Sequence, residues 1–227
     1  MDFSLYIVSM DSLTAENYLK ALLSLTGESG EASVSDLAKK LHIKMPTVTS
    51  MMKKLAKRKL VYYKAYKPLR LTEKGMREAL LIIRKHRLIE MFLVEKMNFH
   101  WEEVHDIAEQ IEHVQAPNFF QMMDKMLGFP KIDPHGEPIP DKDGKLESAS
   151  YQKLSSCKGG DTVRLRAVAD ASTDFLKFLS SRELHLGLKI MVRSVELIDG
   201  SILISYSNKH REMLSQTVCD RLLVEKI

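Results

Sequence analysis

The sequence is poor in the features that mark the specialised protein classes. Its 227 residues include two cysteines, Cys157 and Cys219. Two thiols cannot build a disulfide framework or a cysteine-rich zinc site, and a reduced pair in a cytoplasmic protein is the expectation. Long hydrophobic runs are missing. None approaches the roughly 18 residues that a membrane span needs, so no membrane partner is expected. The opening stretch MDFSLYIVSMDS has no basic region and too short an apolar run for a signal peptide. Met1 to Ser9 reads as an extension ahead of a second start at Met10. Catalytic signatures are also lacking: there is no HExxH, no Walker A and no glycine-rich dinucleotide loop. No local nucleophile pattern surrounds a Ser, Cys or His, so no enzyme is expected. What is present is an ordinary globular composition, 44% hydrophobic and 28% charged, which excludes a disordered or fibrous chain.

Acidic residues are absent from one stretch in particular. Between Ala38 and Thr72 there is no Asp or Glu, while eleven basic residues fall there: Lys39, Lys40, Lys44, Lys53, Lys54, Lys57, Arg58, Lys59, Lys64, Lys67 and Arg70. Eleven of the chain's 34 basic residues leave 23 elsewhere against all 30 acidic ones, a net of −7. One basic segment on an otherwise acidic protein is a candidate phosphate footprint; a solvated basic face is the bland alternative.

The pattern around that segment favours the first reading. Ser12 to Leu25 reads as a helix capped by Ser12 or Thr14, with Leu19, Leu22, Leu23 and Leu25 as its apolar face. Ser35 is expected to cap a short helix, Asp36 to Leu41. After a break at His42-Ile43-Lys44, Met45-Pro46 opens a helix to about Lys59, with proline in the first turn where its missing N–H costs nothing. Leu60 to Lys64 and Leu69 to Leu71 read as a hairpin. Helix, short helix, turn, basic helix and hairpin make a winged helix-turn-helix. Lys44, Pro46, Thr47, Thr49 and Ser50 would face base edges. Lys53, Lys54 and Lys57 would run along the phosphates, and Lys64, Tyr66, Lys67 and Arg70 would arm the wing.

Further helices follow: Glu73 to Lys96 capped by Thr72, then Trp101 to Val114, then Asn118 to Leu127. Pro130, Pro134, Gly136, Pro138, Pro140 and Gly144 mark an irregular linker. After Ser150 the texture turns to β-type runs, at Thr162–Arg166, Lys189–Arg193, Ser201–Ser205 and Leu222–Glu225. Asp199-Gly200 supplies a hairpin turn signal, and about 75 residues of this kind suit a small β-barrel.

On the helix 101–114, His105, Glu109, Glu112 and His113 fall at i, i+4, i+7 and i+8, within an arc of roughly 100°. Val104, Ile107, Ile111 and Val114 take other faces, toward the core. His86 and Glu90 repeat the theme one helix earlier. Oxygen and nitrogen donors without a thiolate suit Mn²⁺ or Fe²⁺. The alternative is a winged-helix regulator whose acidic helix binds a protein or a small molecule.

The phrases Leu13-Thr14-Ala15-Glu16-Asn17-Tyr18-Leu19, Arg84-Lys85-His86-Arg87-Leu88-Ile89-Glu90, Val104-His105-Asp106-x-Ala108-Glu109-x-x-Glu112-His113-Val114 and Pro134-His135-Gly136-Glu137-Pro138-Ile139-Pro140 resemble the diphtheria toxin repressor and manganese transport regulator family. The resemblance implies a mainly α protein with a C-terminal β domain. Its parts would be a winged helix-turn-helix (1–73), a helical metal-binding and dimerisation domain with its Pro-rich linker (74–150) and an SH3-like, FeoA-like domain (151–227). It implies a homodimeric metal-dependent repressor of metal-ion uptake genes, binding a palindromic operator in double-stranded DNA. A primary metal site would use Glu109, Glu112 and His113. Glu109 stands where iron-sensing members often carry Cys, which tilts the cofactor to Mn²⁺ over Fe²⁺. The first-helix ligand position falls on Asn17, with water or Glu16 as the alternative. Lys20 stands where some short members have a further carboxylate, which argues against their two-metal arrangement. An ancillary site would use His86, Glu90 and His105, joined by Asp174 or, second, Glu183.

Overall fold

The computed structural model describes residues 3–147, 150–207 and 210–227, and side chains at 3–12, 28 and 210 are outside that description. The reading of Met1–Ser9 as an extension falls on these positions, and Met1 and Asp2 lie outside the described residues altogether. Contacts divide the chain into two units: 1–86 with 109–122 and 139–146, and 87–108 with 123–138 and 147–227. Among the described residues, no helix is long and apolar enough to cross a membrane.

The first unit is built on three helices and a hairpin. Helix α1 spans Phe3–Thr26, so it starts well before the Ser12 or Thr14 expected as its cap. No Gly or Pro interrupts the chain from Phe3 to Thr26, and a capping residue type does not end a helix that apolar residues continue on both sides. Helix α2 (Val34–Lys40) is capped by Ser33, whose Oγ accepts from the Asp36 amide at 3.0 Å. Ser33, not the expected Ser35, precedes the first turn and so meets its orphan amides. Helix α3 (Met45–Lys57) carries Pro46 in its first turn and buries Val48, Met52 and Leu55. Strands β1 (Val61–Tyr62) and β2 (Arg70–Leu71) pair antiparallel, and Ala32 bridges to Leu69 beside them.

These elements enclose one core. Tyr18, Leu19 and Leu22 of α1 pack with Leu37, Val48, Met52, Leu55, Leu60 and Leu69. Helix α4 (Glu73–Met97) enters this core through Ala79 and Ile82. Its entry is fixed by Thr72, whose hydroxyl donates to the Lys59 carbonyl at 2.7 Å and accepts from the Gly75 amide at 3.0 Å. Gly75 permits a close approach: a Cβ there would lie 1.9 Å from the Leu60 carbonyl oxygen. Two shorter helices follow in the chain, α5 (His105–Ile111) and α6 (Pro117–Met126).

The second unit holds a six-stranded antiparallel sheet of order β3-β8-β4-β5-β6-β7. The strands are β3 (Gln152–Lys153), β4 (Thr162–Val168), β5 (Lys189–Val195), β6 (Ile202–Tyr206), β7 (His210–Leu214) and β8 (Leu222–Lys226). Bulges at Leu165/Ala167 and Val192/Ser194 bend the sheet locally. The apolar face of helix α7 (Thr173–Ser180), which the β-type texture concealed, packs Phe175, Leu176 and Leu179 against Val163, Leu165, Ile190 and Val192. A four-residue helix, α8 (Gln216–Cys219), precedes β8.

The part of the proline-rich segment up to Pro138 is ordered onto this unit. The Val168 amide donates to the His135 carbonyl at 3.0 Å. Gly136, at φ 88°, lies where a Cβ would be 2.1 Å from the Arg166 carbonyl oxygen. That position combines a left-handed backbone with contact too close for any side chain.

Candidate functional site

Helix α5 is shorter than the expected 101–114. It covers His105–Ile111, and Glu112 and His113 sit in the turn that follows. The buried positions along this segment are Val104, Ala108 and Glu112, while Val114, expected in the core, is 41% exposed. Burial therefore follows i, i+4 and i+8, and the apolar stripe ends in a carboxylate. The row of four donors does not act as one face: His105 turns to one partner set and Glu109, Glu112 and His113 to another.

In the first unit the second set gathers against α1. Glu112 is fully buried. One carboxylate oxygen lies 2.5 Å from His86 Nδ1, and Lys20 Nζ stands 2.8 and 2.9 Å from its two oxygens. Lys20 also pairs with Glu109. Burial alone would raise the Glu112 carboxyl, but the hydrogen bond to His86 and the charge of Lys20 outweigh it and hold the group below the usual carboxylate range. One ligand atom each from His86, Glu109 and Glu112 lie within 4.8 Å of one another. His113 Nδ1 is 2.8 Å from Glu16 Oε2, and Gln115 donates to Glu16 Oε1 at 3.0 Å.

Glu16 and Lys20, one turn apart on α1, thus share the face that meets this cluster. Asn17 is the next residue round the helix and is exposed. The side chains that α1 brings to the cluster are Glu16 and Lys20. The i,i+4 spacing of Glu16 and Lys20 shows that they share a face of α1 but not which residues that face meets. Carboxylate oxygens and imidazole nitrogens, with no thiolate, form a donor set that fits a hard or borderline divalent ion.

In the second unit, Glu90 is 3% exposed and has His105 Nδ1 at 3.3 Å and His135 Nδ1 at 3.7 Å. Glu90, Asp133 and His135, all buried, place one ligand atom each within 4.8 Å of one another. Asp133 accepts from the His135 and Glu137 amides at 2.9 Å and faces Arg87 Nε at 3.4 Å. Burial pushes its carboxyl up to about 6, against the pull of Arg87. Burial would lower His135, yet its bond to Glu90 and the Trp101 carbonyl at 2.9 Å raise it. His135 stands in a phrase that the resemblance rests on, but nothing in its spacing ties it to Glu90. Asp174, in the first turn of α7, and Glu183 are both exposed. Asp174 joins none of the close donor clusters among the described residues.

The basic surface is laid out on α3 and the hairpin. Lys44 caps α3, and Lys44, Pro46, Thr47, Ser50, Lys53 and Lys54 are exposed, with Thr49 half-buried. The polar residues occupy the side opposite Val48, Met52 and Leu55, which lock the helix into the core. Lys64, Tyr66 and Lys67 are exposed at the hairpin, whose Arg70 pairs with Glu31.

Comparison with known proteins matches three stretches of the chain. Residues 11–69 match the model of the iron dependent repressor N-terminal DNA binding domain. Residues 72–141 match the iron dependent repressor metal binding and dimerisation domain, and 152–226 the FeoA domain. The iron-dependent repressor IdeR of Mycobacterium leprae is 34% identical over 157 residues, 66% of this chain and 68% of that protein. IdeR of Mycobacterium tuberculosis is 35% identical over 127 residues, and there the match spans 55% of the relative's length and 56% of this chain. A solved manganese-dependent transcriptional repressor in complex with manganese superposes with a TM-score of 0.85 at 31% identity, covering 94% of this chain and all of that one.

Proposed function

The chain belongs to the diphtheria toxin repressor and manganese transport regulator family of metal-dependent transcriptional repressors, and on that footing we propose that it is a repressor of metal-ion uptake genes that responds to Mn²⁺ in preference to Fe²⁺. The observation that carries the reading is the meeting of α1, a helix of the DNA-reading core, with Glu109, Glu112 and His113 through Glu16 and Lys20.

The residues that would hold the ion are Glu109, Glu112 and His113, with Glu16 in place of Asn17 as the donor from α1 and His86 beside Glu112. A bound divalent ion would add positive charge to a group of carboxylates, Glu16, Glu109 and Glu112, that Lys20 offsets only in part. Glu16 would then be fixed relative to Glu109 and Glu112, and α1 with it. Ordering the reading helices beforehand lowers what DNA binding must spend on ordering them. Oxygen donors at Glu109 and Glu112, with no cysteine near, favour Mn²⁺. Glu90 and His105 correspond to the family's second site, and Asp133 and His135 stand beside Glu90 as further donors. Asp174, exposed on α7, is left out of the set.

Lys44, Pro46, Thr47, Thr49 and Ser50 would enter the major groove, with Lys53, Lys54, Lys64 and Lys67 on phosphates. Phe119, Met122 and Met126, on one side of α6 and each about half exposed, supply an apolar face for a second copy. A two-fold dimer reads a palindromic operator.

Equilibrium dialysis of Mn²⁺ tests the site. The chain is expected to bind Mn²⁺, and Glu109→Ala to lose one ion per chain with its far-UV circular dichroism unchanged. Equal Mn²⁺ uptake by both proteins would refute the assignment.

A further inference from the structure

We propose that Lys20 is a built-in cation of the Glu109/Glu112 cluster: its ammonium ties α1 to α5 without any ion, and it leaves room there for one divalent ion and not two. The tether stands on geometry alone; the ion count rests on the metal-binding reading above.

The ammonium has three N–H donors, and three carboxylate oxygens receive them: one of Glu109 and both of Glu112. That is the full coordination of a held cation. A surface ion pair usually leaves its ammonium largely in water, whereas the Lys20 side chain is 20% exposed and Glu112 is fully buried. His86 closes the other side of Glu112 at 2.5 Å. Lys20 is also placed rigidly. Leu19 and Leu22, on either side of it in α1, are within 1% of complete burial, so the position of its ammonium reports the position of the reading core.

Charge gives the same answer. Glu16, Glu109 and Glu112 bring three negative charges, and Lys20 offsets one. The remaining two match a single divalent ion, with His86 and His113 as nitrogen donors. A second divalent ion would leave the cluster with an excess of positive charge next to an ammonium it could not displace from a buried carboxylate cheaply. It follows that the metal-free chain keeps part of the link that the ion completes, so the DNA response to metal is graded.

The test uses the full chain stripped with chelator, as wild type, Lys20→Met and Lys20→Arg. Hydrogen–deuterium exchange reads the amides of 13–26, and electron paramagnetic resonance of free Mn²⁺ reads ion binding. Wild type and Lys20→Arg are expected to exchange slowly without metal. Lys20→Met is expected to exchange at least ~10-fold faster, to recover with Mn²⁺, and to bind its first Mn²⁺ ~10-fold tighter because a competing charge is gone. Equal metal-free exchange in Lys20→Met and wild type would overturn the tether, and equal Mn²⁺ isotherms would overturn the cation role. If Lys20→Met unfolds in chelator, refolding on Mn²⁺ supports the proposal and failure to refold overturns it. If no variant binds Mn²⁺, the metal reading of the cluster fails, and the exchange comparison still decides the tether.

Discussion

His113 and Glu16 meet across 97 positions of sequence, with Nδ1 2.8 Å from Oε2. The contact joins the turn after α5 to the helix whose Tyr18, Leu19 and Leu22 build the winged-helix core. A signal at the cluster therefore has a direct physical route to the DNA-reading elements. That route needs no chain of intermediates.

Glu16 is expected to matter more than Asn17. Glu16→Ala should reduce Mn²⁺-stimulated DNA affinity by about 5–150-fold, the span of a coupling of 1–3 kcal/mol. Asn17→Ala should change it less than about 2-fold, because Asn17 is exposed. Fluorescence anisotropy with operator DNA compares the two, and the reverse ranking would return the ligand role to Asn17.

Lys53, exposed on α3, is expected to contact phosphate. Lys53→Ala should weaken binding to all sequences alike and lower the slope of log K against log salt by about 1. A loss confined to one sequence would instead place Lys53 on a base edge.

Gly75→Ala is expected to destabilise the first unit. Alanine gains about 1 kcal/mol of helix propensity. The new Cβ, however, meets the Leu60 carbonyl oxygen at 1.9 Å, and forcing the hairpin away costs about 3 kcal/mol. The net loss of about 2 kcal/mol is read by urea unfolding, and a stabilised variant would contradict the packing described.

The two cysteines are expected to be silent. Both are free and buried. Burial, with Asp220 adding, pushes the Cys219 thiol up to about 12, and burial with Asp161 raises Cys157. Neither should react with a disulfide reagent at pH 8 until the chain is unfolded. The sign of the linkage follows. A thiol whose folded pKa is raised stabilises the fold below its ordinary value, and that contribution is lost as pH rises through about 12. Stability should therefore fall with rising alkalinity, and fast labelling of the native chain at pH 8 would contradict the burial.

Much of this was legible in the residues. The turn at His42–Lys44, Pro46 in the first turn of α3 and the Val48, Met52 and Leu55 stripe placed the reading helix within two residues of its observed end. Periodicity is a good guide where an apolar face is continuous. It misled just after α5, where Glu112, expected on the donor face, is fully buried and Val114, expected in the core, faces out. Helix α7 was missed because its burial against the sheet depends on strands distant in sequence. The pairing of His135 with Glu90, and of Lys20 with Glu109 and Glu112, joins residues 45, 89 and 92 positions apart. No local pattern encodes contacts of that separation.

Metal is expected to strengthen DNA binding through the α1 cluster. The measurement is fluorescence anisotropy of the full chain with the DNA upstream of its own coding sequence, in Mn²⁺, in anaerobic Fe²⁺ and in chelator. The expected result is binding at least ~5-fold tighter with metal than in chelator, with Mn²⁺ ahead of Fe²⁺. Equal affinity in all three conditions would contradict metal control of DNA binding and leave Glu109, Glu112 and His113 a structural ion-pair cluster beside a metal-independent DNA reader.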